Sequence, residues 1–362
     1  MRMMALSKSE IIRYSRHMII PEIGIKGQEK IKASSACVIG AGGLGSACLS
    51  SLAGAGIGKL GVVEHGKLEL SNLHRQAIYA LQRPGTLKAE AAVKFLKKLN
   101  WEIKIKIHQK KFDGKNAVEI IKDYDIIADC TDNFEARFAI NRACYGFKKP
   151  LVFGAVYRFE AQVSLFDSSD GPCLRCLYPA GAEPQNFTCA EEGIAGPVAA
   201  AAGHIQALEV IKFITGVKGL KNKLLMLDFA NVCFNIVDVK KRPDCPVCSG
   251  RSSRHSAGRT MPPCSGKPVS PVPYITPEDL KKKFGRKEKF ALLDLRHEWE
   301  HDLCGIKGDL DPALEAILYC RNESRSVTAY KILENMGFKK IFVLKGGIDA
   351  WAEKIEKGMI RY

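Results

Sequence analysis

Ala36-Cys37-Val38-Ile39-Gly40-Ala41-Gly42-Gly43-Leu44-Gly45 decides the fold. A short apolar run that breaks into Gly-x-Gly-x-x-Gly reads as a strand turning sharply into a helix. Gly40 makes the turn, Gly42 and Gly43 let the backbone approach a phosphate, and Gly45 lets the helix pack close to the strand. The N–H groups exposed at the helix start attract an anion. A second apolar run, Leu60-Gly61-Val62-Val63, ends at Glu64, where a carboxylate accepts ribose hydroxyls. Strand, glycines, helix and acid together make a nucleotide site. By themselves they leave NAD and ATP both open.

Outward from this turn the chain alternates strands and helices. Ser7-Lys8-Ser9-Glu10 is a capping box, and Ile11, Ile12, Tyr14, Met18 and Ile19 follow at helical spacing up to Pro21, which predicts one leading helix. Residues 46–56 read as a helix of small residues, 86–100 as an amphipathic helix with Lys88 near its start, and 103–107 as a half-buried strand. Tyr124-Asp125-Ile126-Ile127-Ala128 is a buried strand ending in Asp129-Cys130-Thr131-Asp132-Asn133, a second strand-to-helix corner. Strands at 151–153, 161–166, 224–228 and 232–239, with an alanine-rich core helix at 197–215, complete an open, largely parallel α/β sheet with antiparallel finishing strands. Residues 249–273 are rich in Ser, Arg, Gly and Pro without apolar periodicity and mark a flexible linker. Strands at 290–296, 316–320 and 341–344 and helices at 326–336 and 348–355 then form a smaller α/β unit. The predicted division is 1–250, a linker over 251–272, and 273–362.

The 362 residues, 46% of them hydrophobic, suffice for two or three domains. The sequence has no apolar run of membrane-spanning length, and residues 1–8 lack the apolar centre of a signal peptide, so a cytoplasmic chain without a membrane is expected. The formal charge of +16 is spread over separate basic clusters with little aromatic interleaving. These read as solvated faces, with an acidic protein a better-suited partner than nucleic acid. Thirteen cysteines, an odd number in a long chain, point to reduced thiols rather than a disulfide framework. Cys37, Cys48, Cys130, Cys144 and Cys233 read as buried small hydrophobes.

Cys173-Leu174-Arg175-Cys176 and Cys245-Pro246-Val247-Cys248 are two C-x-x-C knuckles. Four thiolates suit tetrahedral Zn2+, and four protein ligands leave no open position, which makes such a site structural. Asp132 stands where phosphates would pass, and a carboxylate there suits Mg2+ between a triphosphate and the protein. Arg75 and Lys88 supply cations that a triphosphate needs and hydride transfer does not, so the set favours ATP over NAD.

These segments, together with Leu70-Ser71-Asn72-Leu73-His74-Arg75-Gln76, resemble the E1-like adenylating enzymes of the MoeB/ThiF family over residues 7 to 250. The resemblance implies a Rossmann-like adenylation domain that activates the C-terminal glycine of a ubiquitin-like sulfur carrier with ATP. It implies that Glu64 binds ribose, that Asn72, Arg75 and Lys88 bind phosphates, that Asp132 holds magnesium, and that Arg16 reaches the partner subunit's ATP in a homodimer. Two positions depart from the family: Glu64 stands for a usual Asp, and Gly66 for an expected second acid. Cys189 matches the cysteine of the family's mobile crossover segment, where it could attack the acyl-adenylate or receive sulfur.

Cys320-Arg321-Asn322-Glu323-Ser324-Arg325, at a strand end before a helix, suits a persulfide held by loop N–H groups, a helix dipole and arginine charge. It resembles the active loop of rhodanese-like domains, with supporting matches at Asp294-Leu295-Arg296, Gly305-Ile306-Lys307-Gly308 and the run 344–351. Glu323 stands where a loop glycine is common, setting a carboxylate beside the expected anion, and the segment between Leu310 and Glu315 is short. Adenylation followed by sulfur transfer to a thiocarboxylate is the function so implied, with a cysteine desulfurase as a further partner. The rivals are an NAD-dependent dehydrogenase and a non-enzymatic scaffold that binds the carrier and docks a desulfurase.

Overall fold

Beyond Ser35, the segment Ser35–Ile39 is apolar and buried on both faces, and it forms β1 inside an eight-stranded sheet. The computed structural model describes residues 5–169, 171–179, 193–249, 272–296, 305, 315–335, 338 and 340–359. It divides the chain into two compact units, Met1–Met261 and Pro262–Tyr362.

In the first unit, α1 (Lys8–Arg13), α2 (Ser15–Met18) and α3 (Gly24–Ala33) precede β1. There follow α4 (Gly43–Ala55), β2 (Lys59–Val63), α5 (Lys88–Leu99), β3 (Lys104–His108), α6 (Ala117–Ile121), β4 (Ile126–Asp129) and α7 (Phe134–Gly146). The hairpin β5 (Leu151–Tyr157) and β6 (Glu160–Phe166), α8 (Leu174–Leu177), α9 (Gly196–Thr215), β7 (Lys223–Asp228) and β8 (Cys233–Asp238) complete it. The sheet order is β3-β2-β1-β4-β5-β6-β7-β8, parallel from β3 to β5 and antiparallel from there to β8. The mostly parallel sheet and its antiparallel finish agree with the sequence reading.

Register matters for function. Ile39 lies opposite Val63 on one side and Asp129 on the other, and Val63 lies opposite His108. The carboxyl ends of β1, β2, β3 and β4 are therefore level. The chain runs outward from β1 to β3 and then returns to β4 on the far side of β1. That reversal opens a crevice at the carboxyl edge, where open α/β sheets bind ligands.

Small residues bring α4 and α9 together: a Cβ at Gly203 would lie 2.2 Å from the Leu44 carbonyl oxygen. Among the described residues α9 is the one helix long and apolar enough to cross a membrane, yet it packs across α4 and the β4–β6 strands. Its polar groups are used inside the fold. Gln206 Nε2 donates to the Asp129 carbonyl at 2.7 Å, and Glu209 Oε2 accepts from Leu220 N at 2.6 Å.

Two expectations are corrected. The Ser7–Glu10 capping box forms, but the single leading helix is broken at Tyr14, which leaves helical geometry at φ −99° and ψ 12°. Its ring turns into the core, where its hydroxyl accepts from Asn100 Nδ2 at 2.8 Å. Of the rest of the expected apolar face, Met18 is half-buried while Ile11, Ile12 and Ile19 stay open, Ile12 76% and Ile19 69% exposed. Cys233 is exposed rather than buried, because it begins β8, the last strand of the sheet, whose six residues are all exposed. Cys37, Cys48, Cys130 and Cys144 are buried as expected.

The second unit contains β9 (Tyr274–Ile275), α10 (Pro277–Gly285), β10 (Ala291–Asp294), β11 (Ala316–Tyr319), α11 (Ser324–Asn335), β12 (Ile341–Leu344) and α12 (Gly347–Lys354). Its parallel sheet has the order β10-β11-β12-β9. Most of the predicted linker and residues 306–314, including the short segment before Glu315, fall outside the described residues.

Candidate active site

Gly40 ends β1 with φ +91°, a left-handed conformation that glycine adopts freely. A Cβ at Gly45 would stand 1.9 Å from the Gly40 carbonyl oxygen, so the turn closes only on glycine. Gly40 N donates to Val63 O and Cys130 N to Ile39 O, both at 2.9 Å, which ties the glycine turn to the ends of β2 and β4.

Glu64 leaves the end of β2 and folds its carboxylate back onto the turn. Oε2 accepts from Ala41 N at 3.1 Å, and Oε1 accepts from His65 N at 2.8 Å and Gly66 N at 2.7 Å. A Cβ at Gly66 would lie 3.2 Å from that Oε1. The two departures from the family pattern thus fit one another: the longer acid occupies the space that the missing side chain leaves.

Lys88 is the first residue of α5, and its N–H donates to Gly66 O at 3.0 Å. Burial holds its ammonium below the ordinary lysine range, while the carboxylates of Glu64, Glu69 and Asp132 pull it up and Arg75 adds to the lowering. The sequence-predicted Glu64, Arg75 and Asp132 are thus all close enough for their charges to be felt at the Lys88 ammonium. Arg75 Nη1 donates to Ser71 O at 2.7 Å, and its stem passes 3.6 Å from where a Gly43 side chain would begin, beside the start of α4. Asn72 is buried, and its Oδ1 accepts from Glu69 N at 3.2 Å to brace the segment that carries Arg75. Asp132 is exposed beyond β4, next to Asn133, which caps α7 by accepting from Ala136 N at 2.9 Å. Arg16 lies exposed on α2, outside this gathering, and Cys189 falls outside the described residues.

The structure adds residues that the sequence did not disclose. Gln76 is buried, with Nε2 3.9 Å from where a Gly42 side chain would begin. Asp129 is buried, its carboxyl pushed up by burial and drawn down by Arg137, and Oδ1 accepts from Thr131 N at 2.9 Å and Thr131 Oγ1 at 2.7 Å. Arg137 Nη2 in turn donates to Thr131 O at 2.9 Å, so the corner before Asp132 is braced from below. Arg137 lies on the buried face of α7, three residues before Ile140 and seven before Cys144, but arginine and glutamine are ordinarily exposed, so only tertiary packing reveals Arg137 and Gln76 as interior.

Away from the crevice, the Sγ atoms of Cys173, Cys176, Cys245 and Cys248 all lie within 4.8 Å of one another, and all four residues are buried. Cys173 and Cys245 Sγ are 3.7 Å apart. Ligands of one tetrahedral ion at about 2.3 Å would sit about 3.8 Å apart, so the four thiols fit a metal. In the second unit, Cys320 is buried at the end of β11, ahead of a loop whose residue Glu323 has φ +87°. Its carboxylate accepts from Gly346 N at 2.7 Å, so the expected acid beside the thiol is bound to backbone.

Comparison with known proteins places this geometry. The model of the ThiF family matches residues 14–247, nearly two thirds of the chain. The chain belongs to the ThiF family. The rhodanese-like domain model matches residues 306–354. The probable adenylyltransferase/sulfurtransferase MoeZ of Mycobacterium tuberculosis is 34% identical, over 99% of this chain and 97% of its own. The sulfur carrier protein adenylyltransferase of Thermus thermophilus is 41% identical, over 68% of this chain and 93% of its own. Among solved structures, MccB of E. coli shares the fold at TM-score 0.60 and 22% identity, over 70% of this chain and 77% of that one. The named relatives favour neither a dehydrogenase nor a non-enzymatic scaffold.

Proposed function

We propose that this chain adenylates the C-terminal glycine of a ubiquitin-like sulfur carrier with ATP and then converts the carboxylate into a thiocarboxylate. The observation that carries the reading is the gathering of Glu64, Arg75 and Asp132 about Lys88 at the mouth of the glycine turn. Adenylyl transfer needs positioning and charge neutralisation more than covalent help, and this gathering supplies both. The carrier carboxylate attacks the α-phosphorus and pyrophosphate leaves. Asn72, Arg75 and Lys88 hold the phosphates, the α4 amides face their charge, and Glu64 lies beside the ribose. Mg2+ held by Asp132 and the phosphates would supply charge neutralisation, a donor set of one carboxylate plus substrate oxygens that suits this ion.

For the second step, the Cys320 thiolate takes the outer sulfur of a desulfurase persulfide or of another sulfane-sulfur donor such as thiosulfate, and the donor leaves as a thiolate or sulfite. The outer persulfide sulfur attacks the acyl carbon and AMP leaves, forming an acyl disulfide. A thiol, either Cys189 or an external one, attacks the Cys320 sulfur, which releases the thiocarboxylate and leaves a disulfide on Cys320 that a further external thiol reduces. A second copy of the chain would bring Arg16 to its partner's ATP, and the exposed Ile12 and Ile19 support such an interface. Six described cysteines outside the four-cysteine cluster are free of disulfides, and reduced thiols suit a cytoplasmic enzyme. Incubating the full chain with a carrier, ATP and a sulfur donor, and weighing the carrier by mass spectrometry, tests the reading. Exchange of one oxygen for sulfur is expected, and a carrier of unchanged mass with no pyrophosphate released would refute it.

The four-cysteine site takes structural Zn2+ in this reading. One zinc per chain is expected by elemental analysis. Cys248→Ser should lose that zinc and lower the thermal midpoint by about 5 °C or more, since binding energy at a closed site is folding energy. A metal-free wild-type chain with the same midpoint would rule the site out.

A further inference from the structure

The loop after Cys320 is fastened to the head of α12 at four points. Ile348 N donates to Cys320 O at 2.8 Å, Asp349 N to Arg321 O at 3.0 Å, and Arg321 Nε meets Asp349 Oδ2 at 3.4 Å. The fourth is the contact from Gly346 N to Glu323 Oε2. The fit leaves no slack, because a Cβ at Gly347 would lie 2.4 Å from the carbonyl oxygens of both Cys320 and Arg321. No peptide in the described chain is cis, so carbonyls aimed at α12 turn the N–H groups of Arg321 and Asn322 to the side away from it.

Glu323, at φ +87°, is the one contributor to this fastening other than glycine that stands in a left-handed conformation, which residues with a side chain adopt uncommonly. In that conformation its carboxylate accepts from Gly346 N. The charge of Glu323 is also felt on β9, where the Tyr274 phenol is pushed up by burial first and then by Glu323.

We propose that Glu323 is a positioning residue for sulfur transfer at Cys320: its carboxylate pins the loop to the head of α12 and so keeps the loop amides aimed at an anionic sulfur. The inference rests on the Cys320 reading above and deepens it. The acid is an anchor on the far side of the loop, where its charge is spent on a backbone N–H.

Three variants of the full chain separate anchoring from strain. Glu323→Gln keeps an oxygen for Gly346 N–H, Glu323→Ala removes it and leaves a side chain in the left-handed region, and Glu323→Gly removes it and relieves the strain. The readouts are sulfur transfer from thiosulfate to cyanide and the pH profile of Cys320 alkylation by iodoacetamide, followed on its own peptide by mass spectrometry. Among the described residues Arg321, Arg325, Asp349, Lys345 and Tyr274 are the other charged or titratable groups about the loop, with Asp294, Arg296 and Tyr319 on the strands beside it, and all remain in each variant.

The Ala and Gly variants are expected to lose about tenfold in transfer and to alkylate with a midpoint at higher pH, because misaimed amides stabilise the thiolate less. The Gln variant should stay close to wild type in both. A Gly variant as fast as wild type, a Gln variant as slow as Ala, or three unchanged profiles would overturn the proposal. A wild-type chain that transfers no sulfur would overturn the Cys320 reading instead, and the order of the alkylation midpoints would then decide the anchoring alone.

Discussion

Asp132→Ala is expected to lower carrier-dependent exchange of pyrophosphate into ATP by about a thousandfold or more, with the thermal midpoint unchanged. The size follows from where the charge sits. Asp132 is exposed beyond β4, level with the glycine turn, and near enough for its carboxylate to be felt by Lys88. In adenylyl transfer the barrier lies mainly in gathering and neutralising phosphate charge, so loss of the carboxylate that would hold Mg2+ is felt in the transition state rather than in the fold. Stability should not change, because the cap of α7 belongs to Asn133 and the buried brace to Asp129, Thr131 and Arg137. Asp132→Asn keeps the size and loses the charge, and should fall nearly as far. Unaltered exchange in the Ala variant would remove Asp132 from the site.

How much of this was legible depends on what kind of constraint each residue carries. Gly40 and Gly45 answer to backbone geometry, a left-handed φ and a 1.9 Å approach, and such constraints are written into residue type and spacing. The four cysteines were legible for a similar reason, since two knuckles state their ligand chemistry outright. The leading helix was misread because periodicity records an apolar face without saying what covers it. Tyr14 found a place in the core, while Ile12 and Ile19 did not. Cys233 failed in the same way, since position in the sheet, not residue type, exposes it. Glu64 stands just past the end of β2, where the sequence puts it, but its three backbone donors are not foreseeable, because one of them, Ala41, is 23 residues away. The carboxylate of Glu323 looked hostile to an anion in the sequence, and only its contact with Gly346, also 23 residues on, shows where the charge goes.

The same separation of units shapes the second large effect. Cys320→Ala should leave pyrophosphate exchange unchanged while thiocarboxylate formation falls to background, a loss of about a thousandfold or more, as when a nucleophile is removed. Exchange depends on the crevice of the first unit, and Cys320 lies in the other compact unit, so the two losses should be independent. Cys320→Ser should fail equally, since a hydroxyl cannot carry transferable sulfur. Burial of Cys320 does not argue against the step. The thiol lies at the base of its loop, and loop amides with nearby arginines are what an outer sulfur anion requires. The decisive measurement is the mass of the carrier after single turnover with ATP and a sulfur donor. Full thiocarboxylate yield from Cys320→Ala would make the second unit a bystander and move the sulfur-bearing role to another thiol, with Cys189→Ala the next variant to weigh.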